Sequence, residues 1–91
     1  MEVIGTVHHL GDEQQVSNSF TKRELVVKTD EKFPQLILIE FAQGKCNDKL
    51  DRLLLGQNVK VGINLRGREW VNPAGETKYF NSIQGWSISN L

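Results

Sequence analysis

Between Gln57 and Glu69 the chain alternates almost without fault, with Val59, Val61, Ile63 and Leu65 on one parity and Lys60, Asn64, Arg66 and Arg68 on the other. Alternate side chains share a face of an extended backbone, so this is the clearest strand in the sequence. Asn72-Pro73-Ala74-Gly75 is turn chemistry, and it predicts that Lys78 to Ile88 returns as the second arm of a hairpin. Three strands are expected upstream. In Glu2 to Leu10, Val3 and Val7 share a parity, and Gly5 between them marks a bulge or a close backbone approach. In Phe20 to Thr29, Leu25 and Val27 lie opposite Lys22, Glu24 and Lys28. In Gln35 to Phe41, the run Leu36-Ile37-Leu38-Ile39 suits a strand buried on both faces or one that curves strongly. Polar residues Gly11 to Ser19 read as a loop and Asp30 to Pro34 as a turn.

After Phe41 the period changes. Asn47 or Asp48 can cap a helix of about two turns, Leu50, Leu53 and Leu54 fall on one apolar stripe, and Gly56 supplies the stop. That stripe is expected to plug one open end of a barrel. Three strands, one short helix and a two-stranded hairpin give an all-β chain in the element order of the OB-fold, a five-stranded, partly open barrel. The helix between strands three and four is its telling feature. An SH3-like barrel or a plain meander is the competing topology.

With 91 residues there is room for one small domain spanning positions 1–91, and 38% hydrophobic against 24% charged residues is a globular balance. No apolar run approaches the roughly 20 residues of a membrane-spanning helix, and no basic, apolar leader opens the chain, so cytoplasmic residence is expected. Eleven basic and eleven acidic side chains give zero net charge. Attraction to nucleic acid or membrane must therefore be local. The lone Cys46 has no partner for a disulfide or a thiolate metal site, and His8-His9, adjacent on a strand, point to opposite faces. No phosphate loop, metalloprotease helix or nucleophile elbow occurs, so the expectation is a non-enzyme with no cofactor and no metal.

The stretch Asn64-Leu65-Arg66-Gly67-Arg68-Glu69-Trp70, the turn closing on Gly75, and Lys78-Tyr79 resemble the fourth strand, hairpin and fifth strand of bacterial single-stranded DNA-binding proteins. Ile4-Gly5-Thr6-Val7 resembles their first strand. The whole chain more closely resembles an uncharacterised bacterial family of small OB-fold domains. Those domains share a Lys-Arg-Glu second strand, Phe-Pro-Gln, Arg-Gly-Arg-Glu-Trp and a terminal Trp-x-Ile. Two departures from the DNA-binding proteins matter. The chain stops at Leu91, where they continue into an acidic-tipped tail, so recruitment by such a tail is not expected. It also lacks the residues that precede their first strand, which leaves their tetrameric assembly unsupported.

Single strands are held by basic grooves that follow the phosphates and by rings on which bases stack. Arg66, Arg68 and Trp70 share the polar parity of their strand and could line one exposed face, with Lys78 and Tyr79 across the hairpin extending it. The alternative for these residues is surface ion pairing of the arginines with Glu69 or Glu76, with Trp70 covering one barrel end. The resemblance adds Phe41, by position an aromatic at the end of the third strand, and Phe33 in the turn before it. A phenylalanine beside aliphatic residues is more often core than stacking platform. Lys22 and Arg23 border the expected binding face, and at least one of Phe80 and Trp86 is expected in the core, Trp86 closing the barrel or joining a subunit interface. The reading is binding of single-stranded DNA, with RNA second, at little sequence preference. The alternative is a protein-interaction or assembly module, and in either case a homo-oligomer is expected.

Overall fold

The computed structural model describes residues 1–91. Its elements are β1 (Glu2–Leu10), β2 (Gln14–Ser17), β3 (Phe20–Thr29), β4 (Leu36–Ala42), α1 (Asn47–Leu50), β5 (Asn58–Val71) and β6 (Thr77–Asn90). Antiparallel pairing runs β3–β4, β3–β1, β1–β5 and β5–β6, and a single parallel pair, Glu40 with Gln84, joins β4 to β6. Five strands thus form a ring, with the helix between the third and fourth of them. This is the expected OB arrangement. The ring closes because β1 serves two neighbours: Gly5 pairs with Thr29 of β3 and with Val59 of β5. A Cβ on Gly5 would stand 2.0 Å from the Lys28 carbonyl oxygen, so only glycine allows this approach.

The interior is filled by the inward parity of each strand: Val7, Leu25, Val27, Ile39, Phe41, Val59, Val61, Ile63 and Ile88, with Leu50 of α1 inserted among them. The Phe41 ring lies directly on the Gly85 backbone, where a Cβ would come within 2.4 Å of it. Burying a ring of this size contributes on the order of 1.5–3 kcal/mol.

Four details differ from the sequence reading. The helix is one turn: after Asp51 N–H donates to Asn47, the next amides, Arg52 and Leu53, donate only three residues back, to Lys49 and Leu50. That tightening turns Leu54 out to solvent, so Leu50 plugs the barrel, Leu53 packs at its margin and Leu54 does neither. The apolar run of β4 is not buried on both faces; Ile39 is inside, Leu36 and Leu38 outside. The expected polar loop contains β2, which forms a hairpin on β3, and Gln43 pins its turn by donating to the Ser19 carbonyl and accepting from the Thr21 amide. Finally, a bulge in β6 leaves Trp86 unopposed between Gly85, paired with Ile63, and Ser87, paired with Gly62. Inward parity switches there from Ile88 to Gly85 and Ile83. Neither Phe80 nor Trp86 therefore enters the core, and both are about half exposed.

Candidate nucleic-acid interface

From Asn64 onward every residue of β5 is exposed, and Leu65, expected inside, is 61% exposed. The distal halves of β5 and β6 leave the barrel as a two-stranded arm. The radius of gyration is 14.6 Å, against about 12 Å for a compact chain of this length. Its turn is closed by Gly75, at φ 83°, and by the Asn72 side chain, which accepts the Glu76 amide at 2.8 Å.

Cross-strand register decides which side chains share a face of this arm. Arg66 pairs with Ser82, Arg68 with Phe80 and Trp70 with Lys78, which places two guanidiniums, an ammonium, an indole and a phenyl ring on one face. The Arg68 guanidinium lies 5.7 Å from the Phe80 ring centroid. Arg66 Nε donates to Gln84 Oε1 at 3.1 Å. Arg66, Arg68 and Lys78 make no ion pair, so the alternative of surface pairing with Glu69 or Glu76 is not what forms. Tyr79 pairs with Glu69 on the opposite face, where its hydroxyl donates to Glu69 Oε1 at 3.2 Å. It is exposed but separated from the others by the thickness of the sheet.

The β2–β3 hairpin stands opposite the arm, and the two enclose a groove of about 510 Å³. Val16 and Phe20 line one wall, Arg66, Arg68, Phe80 and Ser82 the other, and Glu40 and Gln84 the floor. The remaining candidates lie outside this constellation. Lys22 is held 3.7 Å from both Glu24 and Glu40. Arg23 is largely buried, ion-paired to Asp51 and donating to the Gly11 carbonyl at 2.9 Å. Phe41 is 1% exposed, so no base can stack on it. Phe33 is exposed in the β3–β4 turn beside Lys32, away from the groove. Sequence reading missed Phe20, Val16 and Glu40 as groove residues. The signal for Phe20, an aromatic beside a basic pair in the second barrel strand, was present but carried no indication that its hairpin stands across a groove from the arm.

Such a barrel, with a groove between its first hairpin and its last, is an OB-fold domain. The chain belongs to the family described as "Domain of unknown function (DUF3127)", whose model matches residues 2–89. No curated protein matches it. Among solved structures it is similar to a small single-stranded DNA-binding protein from Streptomyces coelicolor, at 15% identity and a TM-score of 0.61, over 99% of this chain and 91% of that one. At that identity the likeness carries the fold. No helix is long and apolar enough to cross a membrane.

Proposed function

We propose that this protein is a non-enzymatic binder of single-stranded nucleic acid, DNA ahead of RNA, which it holds in the groove between the β2–β3 hairpin and the β5–β6 arm. One observation carries the reading: Arg66, Arg68 and Lys78, all free of ion pairs, share a face with the half-exposed Trp70 and Phe80. Unpaired cations beside open rings are what phosphate contact and base stacking require. The Streptomyces protein of similar fold, which binds single-stranded DNA by its description, supports the same ligand. Zero net charge confines the attraction to this face, so binding should be sensitive to salt and weak for duplex, whose bases are not available for stacking. A titration of fluorescent oligo-thymidine at low salt tests the proposal. Saturable binding is expected, and none at high micromolar protein would sink it.

A second reading rests on a different surface. Trp86 lies across Gly62, half exposed, and Ile4 is exposed on the same outer face of β1 and β5. Apolar groups of that size favour contact with another protein surface, and a second copy of this chain is the simplest one. Sedimentation at tens of micromolar checks this; a monomer would contradict it.

A further inference from the structure

Stacking and phosphate contact carry no sequence information, but the groove floor is built of side chains that can. Register sets Glu24, Glu40, Gln84 and Asn64 side by side across β3, β4, β6 and β5. Glu24 and Glu40 are directly opposed, an arrangement that destabilises a sheet when both carry charge. Lys22 stands between them, one ammonium for two carboxylates, so on this side of Gln84 the carboxylates outnumber the cations. On the other side of Gln84, the Arg66 guanidinium is held in place by the hydrogen bond to Gln84 Oε1. An acceptor-only group and a donor-only group therefore flank one amide at the bottom of a groove whose walls carry Phe20 and Phe80.

We propose that Glu40 and Arg66 read a base edge and give the groove a preference for guanine. The idea rests on the single-strand reading above. A carboxylate in the floor repels phosphate, so a strand lying here turns its bases inward and its backbone toward Arg68 and Lys78. Of the four DNA bases only guanine offers two adjacent N–H donors, N1–H and N2–H, which a carboxylate can accept together. Its O6 and N7 are the acceptors an arginine meets best. Thymine presents one N–H between two carbonyls and would leave a second Glu40 oxygen against an acceptor.

The test is fluorescence anisotropy with labelled oligonucleotides of about 12 nucleotides, within the span of one OB groove, in lithium buffer to suppress guanine quadruplexes. Alternating thymidine–guanosine should bind about fivefold or more tightly than thymidine alone. Replacing guanosine by inosine, which lacks the N2 amine, should remove part of that advantage. Glu40→Gln, which removes the pair of acceptor oxygens, should abolish it, so that the variant binds the two sequences alike. Equal affinity of the unaltered protein for the two DNA sequences would overturn guanine reading and leave single-strand binding intact. Failure to bind either would overturn both.

Discussion

The two halves of β5 have nearly the same sequence pattern and opposite fates. From Asn58 to Ile63 its inward side chains are among the least exposed in the molecule; from Asn64 to Val71 every residue meets solvent. Alternation specifies that a strand forms and which side chains share a face. Burial of a face depends on what packs against it, and beyond Ile63 too little does to bury any residue of β5. The proximal half is stabilised by the hydrophobic effect, the distal half by its ladder to β6 and its turn. The arm is thereby free to hold Trp70, Phe80 and two arginines in positions that a core would not tolerate.

Substitutions should separate the two halves. The largest effect is expected for Leu50→Asp, which buries an unpaired carboxylate among barrel side chains; the protein should be unfolded or nearly so by circular dichroism at room temperature. Gly85→Ala comes next. Its methyl group would meet the Phe41 ring, and a loss of about 1–3 kcal/mol in urea unfolding is expected. In the arm the effects move from stability to binding. Trp70→Ala should weaken oligonucleotide affinity by about 1–3 kcal/mol. Its unfolding midpoint should barely change, whereas Tyr79→Ala, on the other face, should leave affinity as it was. The smallest effect is electrostatic: Arg68→Ala or Lys78→Ala should each flatten the slope of log affinity against log salt by roughly 0.7 for a single strand. A Trp70→Ala protein that unfolds would erase the distinction between body and arm.

Much of the body was legible in the sequence, because strand period and turn residues are local signals. The bounds of β1 and β3, the Asn72–Gly75 turn and the close approach at Gly5 were read from neighbours in the chain. The polar β2, whose residues are all exposed, left no period to detect. One unopposed residue, Trp86, defeated the parity argument for Phe80, since a bulge reverses the faces of everything beyond it. The arm's basic and aromatic face was legible for the same local reason as the strand itself. The opposite wall was not, because the meeting of Phe20, Glu40 and Arg66 depends on how far the sheet curves, which no single segment encodes.

The double pairing of Gly5 also sets the order in which this chain can assemble. The β5–β6 arm joins residues on either side of one short turn, and a hairpin of that kind forms in about microseconds. Joining Gly5 to Val59 brings together positions over fifty residues apart, so the entropy of closing that loop is lost before the contact returns anything. Barrels dominated by such distant pairings fold in milliseconds to seconds. The β5–β6 arm is therefore the quick, local piece of the molecule, and the seam along the first strand is the slow one, the step at which the barrel closes.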